Sequence, residues 1–249
     1  MKTDLATITP PVTFRDMTQY KEWMNALLTL DPRRTVVLTV DMQRNYLDMD
    51  IGGSPVAPGD SERVLKHAKE LLDFARTNGI PVVHVNVNRL PTELERNTFG
   101  NAYGKLGRKK DLSQNAQAGV SRIPDRLVGS PQAEVPASLV DPGDIHVTSK
   151  KEMDSFFCTE LDVLLQRTLQ VEAVVLTGIN TDTCVYATTF ATAVRGYKPI
   201  VISDCVASTR GKEHHWMALE LMSRSIAWVL TVEQFKEKIR AAKGTGHGP

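Results

Sequence analysis

The run Val174-Val-Leu-Thr-Gly-Ile-Asn-Thr-Asp-Thr-Cys184, continuing into Val185-Tyr-Ala-Thr-Thr189, decides how this chain folds. Its first part is apolar and β-branched and stops at Gly178, which reads as a buried strand reaching a turn. Small and polar residues follow, then a cysteine, then a segment of helical character. That order predicts a strand-to-helix elbow, with Cys184 on the first turn of the helix and Thr181, Asp182 and Thr183 as candidate N-caps. N–H groups at a helix start lack intrahelical partners and the helix dipole favours negative charge, so a thiol there should ionise more readily. A lone cysteine is more often an inert core residue. The elbow position makes Cys184 a candidate nucleophile instead.

Outward from the elbow, apolar runs alternate with helix-period segments, the pattern of a parallel sheet covered on both faces. Strands are expected at Thr35–Asp41, Pro81–Val87, Asp144–Thr148, Ala173–Thr177, Pro199–Ser203 and Ala227–Thr231. A helix over Ser61–Arg76 carries the stripe Val64, Leu65, Ala68, Leu71, Leu72 and Ala75, and Asn78-Gly79 ends it. Thr159 reads as the cap of a helix carrying Leu161, Leu164, Leu165 and Leu169. The helix after Cys184 runs over Val185–Arg195 and closes at Gly196, and Thr231-Val-Glu-Gln234 caps a last amphipathic helix. The fold class is therefore α/β: a doubly wound, mostly parallel six-stranded sheet with helices on both faces. The strand C-terminal ends share one edge, where ligands bind in such sheets.

A single domain over 35–240 accounts for this pattern. An extension, 1–34, precedes it, with a helix over Thr18–Leu30 that carries Tyr20, Trp23, Met24, Leu27 and Leu28. A polar insertion, 88–140, contains Arg89, Phe99, Tyr103 and a basic knot from Lys105 to Lys110 that reads as a solvated loop. The tail, 241–249, is expected to be disordered.

Charge excludes some functions. The 249 residues hold 30 Lys+Arg against 29 Asp+Glu, a formal net charge of +1, so there is no basic footprint for nucleic acid or an anionic membrane. No apolar run approaches the roughly 18–20 residues that span a bilayer. Three cysteines, Cys158, Cys184 and Cys205, argue against a disulfide framework, and the N-terminus lacks the layout of a secretory signal. A reduced, cytoplasmic protein is expected.

Attack by a thiol needs a proton acceptor, and an amine leaving group needs a donor; one carboxylate can serve both in turn. Asp41, at the C-terminal end of the first strand, suits this role, although an Asp there can equally cap the following loop. Lys150 and Lys151 follow the strand Ile145-His-Val-Thr148, so one of them can reach the same edge. Asn45 and Arg89 are polar pocket candidates, with Tyr46 and Phe156 as pocket walls or ordinary core. His215 could line the pocket, and His84, alone on a strand, reads as a packed residue.

In several motifs the chain resembles the isochorismatase-like cysteine hydrolases. They are Val37-Leu-Thr-Val-Asp-Met-Gln43, Gly143-Asp-Ile-His-Val-Thr-Ser-Lys150, Ser155-Phe-Phe-Cys-Thr-Glu-Leu-Asp162, Leu176-Thr-Gly-Ile-Asn-Thr-Asp-Thr-Cys-Val185 and Ser203-Asp-Cys-Val-Ala-Ser208. The resemblance implies a triad of Asp41, Lys150 and Cys184, with Lys151 the poorer match. It also implies a cis peptide between Ile179 and Asn180, and an oxyanion hole made by the backbone N–H groups of Asn180 and Cys184. The activity implied is hydrolysis of a C–N bond in a small amide or ureide through a thioester, with release of ammonia and no cofactor. Biuret, triuret, ureidoacrylate and N-carbamoylsarcosine hydrolases are the types it is most similar to. Metal-binding relatives draw on several His after the first strand; residues 42–83 hold only His67, so no metal is expected. An ether hydrolase of the isochorismatase type and a non-catalytic relative with a redox or binding thiol are the alternatives. A homo-oligomer, dimer or tetramer, is expected.

Overall fold

A computed structural model describes residues 15–95 and 126–244. The basic knot, Phe99, Tyr103 and the last five residues of the expected tail lie outside them. Six strands form one sheet in the order β3-β2-β1-β4-β5-β6, and every neighbouring pair is parallel. They are β1 (Thr35–Val40), β2 (Val82–Val87), β3 (Ile145–Lys150), β4 (Ala173–Ile179), β5 (Lys198–Ala207) and β6 (Trp228–Leu230). The five longer helices are α1 (Thr18–Leu27), α2 (Pro58–Thr77), α3 (Tyr186–Val194), α4 (Lys212–Ser225) and α5 (Val232–Gly244). The chain builds outward from β1 to β3, then crosses back to add β4 on the other side of β1. This reversal is the topological switch point at which doubly wound sheets bind ligands.

Two apolar layers sandwich the sheet. On one face Val64, Ala68, Leu71, Leu72 and Ala75 of α2 pack with Val37, Val175, Ile200 and the α5 residues Phe235 and Ile239. On the other, Leu161, Leu165, Val185, Ala191, Ala218 and Met222 cover Val36, Leu38, Val83, Val174 and Val201. Strands β1, β2 and β4 are buried on both faces along their whole length, which is why they read as continuous apolar runs rather than alternating ones.

Several boundaries differ from the sequence expectation. Strand β5 runs four residues past Ser203 although Ser203 and Asp204 are polar. The Arg63 guanidinium takes the carbonyls of Ser203 (3.3 Å), Asp204 (2.9 Å) and Val206 (3.0 Å), so the irregular backbone there is satisfied. The expected helix after Thr159 is a short α turn, Leu161–Val163, that widens into a π turn, Leu164–Thr168. Helix α1 stops at Leu27; Tyr20, Trp23 and Leu27 face solvent, and only Leu28 and Leu30 beyond it enter the core. Residues 241–244 of the expected tail continue α5. Its start is closed as anticipated: the Gln234 side chain accepts the Thr231 N–H (2.9 Å) and the Thr231 hydroxyl accepts the Gln234 N–H (3.2 Å). No helix among the described residues is long and apolar enough to cross a membrane.

A buried polar knot ties β1, β2, α2 and the start of β3. His84 Nδ1 meets the Thr39 hydroxyl at 2.7 Å and Nε2 meets Asp144 at 3.1 Å, while Arg76 holds Asp144 at 2.6 Å and the Leu139 carbonyl at 2.7 Å. The neutral tautomer that donates to Asp144 and accepts from Thr39 satisfies both contacts. Burial lowers the His84 pKa, against the pull of Asp144, and burial with the nearby Arg63 charge lowers that of His215. A group whose folded pKa is depressed gives up stability as pH falls below its unfolded value. Unfolding free energy measured in urea is therefore expected to fall from pH 7 towards pH 5, where histidines take up protons. His84→Gln and His215→Gln should each flatten that slope, and an unchanged slope in both would contradict the assignment.

Candidate active site

The switch point brings the ends of β1 and β4 together, and Gly178 sets how closely. Its φ is +129°, and a Cβ there would stand 1.9 Å from the Val40 carbonyl oxygen. Only glycine fits, so β4 passes directly against the residue that precedes Asp41. The next peptide, Ile179–Asn180, is cis. The chain then makes a π-helical turn over Thr181–Val185, and α3 begins at Tyr186. Cys184 thus lies in a π turn ahead of the α-helix rather than on its first turn. None of the expected caps serves as one. The Thr181 hydroxyl meets His215 Nδ1 at 2.8 Å, and Asp182 is held by Ser208 (2.7 Å) and Arg210 (3.0 Å). The Asn180 side chain accepts the Thr209 N–H at 2.8 Å, while its carbonyl takes the N–H groups of Thr183 (3.2 Å) and Val185 (3.0 Å).

Asp41 follows β1 in a left-handed conformation, φ +52°. Its Oδ1 accepts the Val87 N–H at 3.0 Å and its Oδ2 accepts Lys150 Nζ at 2.5 Å. Both side chains of this ion pair have no solvent exposure. The Cys184 thiol lies close enough to this pair for the Asp41 and Lys150 charges to act on it. Lys151, the other candidate, points away, to the Asn88 carbonyl and to Glu93 at 2.9 Å.

The electrostatics reverse one expectation. Cys184 is pushed up to about 11, by burial first and then by the Asp41 charge, and Lys150 and Arg126 oppose this only in part. At neutral pH the resting group is a thiol, not a thiolate. Burial acts to lower the Lys150 pKa, but the charge and hydrogen bond of Asp41 oppose it and the ammonium is held above the ordinary lysine value.

The pocket candidates divide. Tyr46 is buried beside the site and meets Arg126, which donates to its hydroxyl and lies over its ring at 5.2 Å. Asn45 is buried, its Oδ1 accepting the Gly53 N–H at 3.2 Å, and its Nδ2 has no partner among the described residues. The Arg89 backbone joins that of Arg126. His215 supports the elbow through Thr181. Phe156 is buried, stacked on Tyr197 at 6.2 Å with Arg195 over its ring at 4.4 Å, next to the start of β5, packing that fits the ordinary-core alternative. Arg126 itself was not marked by the sequence, because it stands in an aperiodic polar loop. No group of three or more His, Cys, Asp or Glu among the described residues is placed to hold a metal.

Sheet order and an elbow at the switch point make this a doubly wound α/β fold with its site at the strand C-terminal ends. The family profile for the Isochorismatase domain matches residues 35–234, and the chain belongs to that family. It is 30% identical to the uncharacterized isochorismatase family protein YwoC of Bacillus subtilis, over 86% of this chain and 98% of that protein. It is 29% identical to the ureidoacrylate amidohydrolase RutB of Methylobacterium radiotolerans, over 85% of this chain and 82% of that one. The crystal structure of a cysteine hydrolase from Pseudomonas syringae shares the fold with a TM-score of 0.68 at 23% identity, over 86% of this chain and 96% of that one.

Proposed function

We propose that this isochorismatase-family hydrolase is a cysteine amidohydrolase that cleaves the C–N bond of a small amide or ureide and releases ammonia. One observation carries the reading: a water-excluded Asp41–Lys150 pair whose charges act on the Cys184 thiol. A thiol held near 11 is a weak nucleophile by itself, so attack must be coupled to proton transfer. Asp41 takes the proton as Sγ adds to the carbonyl, and Lys150 steadies the charge. The oxyanion is received by the backbone N–H groups of Asn180 and Cys184. Collapse breaks the C–N bond, and Asp41 returns its proton to the departing amine. Water, with Asp41 again as base, then cleaves the thioester and restores the thiol. The chemistry needs no cofactor.

The similarity to a ureidoacrylate amidohydrolase supports the substrate class, and triuret and biuret are the narrowest substrates the motifs suggest. The test is ammonia release from a panel of triuret, biuret, N-carbamoyl amino acids, nicotinamide and maleamate, with Cys184→Ala beside the wild type. Ammonia from none of them would overturn the reading.

We also propose a homo-oligomer. Phe190 and Val194 on α3 and Trp216, Met217 and Leu221 on α4 turn large apolar surfaces outward. Sedimentation equilibrium is expected to give the mass of two or more chains; the mass of one would contradict it.

A further inference from the structure

We propose that Asp182 is a positioning residue for the oxyanion hole: its carboxylate, held by Ser208 and Arg210, anchors the turn that carries the N–H groups of Asn180 and Cys184. The inference deepens the amidohydrolase reading and rests on it.

The turn is of an uncommon kind. Thr181–Val185 is π-helical, a wide geometry met chiefly as single turns and often at functional sites. Side chains fasten it at three successive positions to the segment that follows β5. The Asn180 side chain accepts the Thr209 N–H at 2.8 Å, and the Thr181 hydroxyl meets His215 Nδ1 at 2.8 Å. Asp182 makes the strongest attachment. Its Oδ1 accepts the Ser208 hydroxyl at 2.7 Å and its Oδ2 accepts Arg210 Nη1 at 3.0 Å. Ser208 Oγ in turn accepts the Arg210 N–H at 3.0 Å, so the three residues close a ring. The ring is sheltered: the Asp182 side chain is 13% exposed and Ser208 is buried.

The anchor stands on the sheet itself. Ser208 lies one residue beyond β5, and the last pairs of β4 with β5 are Gly178 with Val206 and Ile179 with Ala207. Turn and anchor therefore leave the same paired strand ends, and the ring fixes one against the other. Charge gives a second reason for the arrangement. An unbalanced carboxylate two residues from Cys184 would oppose an oxyanion forming there. Ser208 and Arg210 occupy the carboxylate, and the guanidinium balances its charge. Hydrogen-bond donors act on a transition state only when they are already in place. The mechanism of Asp41, Lys150 and Cys184 leaves this ring unused, and setting the donors is the task that its position fits.

Turnover compared with alkylation tests this. Iodoacetamide alkylates a thiol by displacing iodide and forms no oxyanion, whereas amide hydrolysis passes through one. In Asp182→Ala, kcat for the panel amide that the wild type hydrolyses fastest should fall about 100-fold, the scale of a misplacement near 1 Å, with KM changed less than about 3-fold. Alkylation at Cys184, followed at that residue by mass spectrometry, should change less than about 3-fold, because it needs no oxyanion hole. Asp182→Asn keeps an acceptor for Ser208 and should recover part of the loss. Arg210→Gln leaves the carboxylate unbalanced and should also lower kcat. Asp182→Asn/Arg210→Gln, with neither charge, should then turn over faster than Arg210→Gln alone. Equal losses of turnover and alkylation would reduce Asp182 to a folding role and overturn the proposal. So would an unchanged kcat, or a double variant slower than both single ones.

Hydrogen exchange separates this proposal from the reaction it rests on. Amides of residues 181–185 should exchange about 10-fold faster in Asp182→Ala than in the wild type, with those of 173–177 in β4 unchanged. Equal exchange in the turn would defeat the role of Asp182 even if ammonia is released. Faster exchange there, in a protein whose wild type releases no ammonia, would defeat the amidohydrolase reading alone.

Discussion

Cys184→Ala protein is expected to release no ammonia above background from any amide that the wild type hydrolyses, a loss of about 10⁴-fold or more. The size follows from the proposed chemistry. Covalent attack is the step that every later one depends on, and no neighbouring group can replace the sulfur. Asp41 is committed to Lys150 and the Val87 N–H, and Lys150 is a buried ammonium with its pKa held high. Neither is a nucleophile at neutral pH. Cys184→Ser should be almost as poor, because a serine hydroxyl is a weaker acid than even a thiol held near 11. The outcome also separates two classes of reaction. Hydrolysis of a vinyl ether by protonation needs an acid but no thiol, so an ether hydrolase would keep its turnover in Cys184→Ala. Retained ammonia release in the alanine variant would sink the thioester mechanism outright.

The elbow was legible because a strand-to-helix reversal leaves a local trace. Val174 to Leu176 are apolar because β4 is buried on both faces, and Gly178 is fixed because a Cβ there would stand 1.9 Å from the Val40 carbonyl oxygen. The meeting of Asp41 and Lys150 was legible only in part. Position placed each near a strand end, but the choice between Lys150 and Lys151 came from motif resemblance. Alternation along β3 could not supply it, because the β2–β3 register shifts between Val85 and Val87. What failed were inferences that treated a feature in isolation. An N-terminal helix turn favours a thiolate when it stands alone; here burial first and the Asp41 charge second push the thiol pKa up and the balance reverses. For Phe156 residue type left wall and core both open, and its ring packs with Tyr197 and Arg195 before the start of β5. Arg126 left no trace at all, since it reaches Tyr46 across 80 positions of chain and no periodicity records such a contact.

Lys150→Met separates the stability of the buried pair from its chemistry. The ammonium and carboxylate are 2.5 Å apart with no solvent exposure, so each offsets the desolvation of the other. Removing one partner of a buried pair costs roughly 3–5 kcal/mol, because the remaining charge is stranded. The pH sign agrees: a lysine whose folded pKa is raised contributes its full stability below the unfolded value near 10.5 and loses it only as pH rises beyond that. The whole contribution is therefore present at pH 7, and urea unfolding there should expose the loss. In the variant Asp41 keeps the Val87 N–H but loses the ammonium that balances its charge. With no ammonium to steady the charge as sulfur adds to the carbonyl, turnover should vanish along with the stability. The double variant Asp41→Asn/Lys150→Met removes both charges. Replacing a buried pair by groups of similar volume is often close to neutral, so this protein should regain most of the lost stability and none of the activity. A Lys150→Met protein as stable as the wild type would mean that the pair is not held in a dry interior. A double variant that recovered ammonia release would mean that Asp41 is not the base.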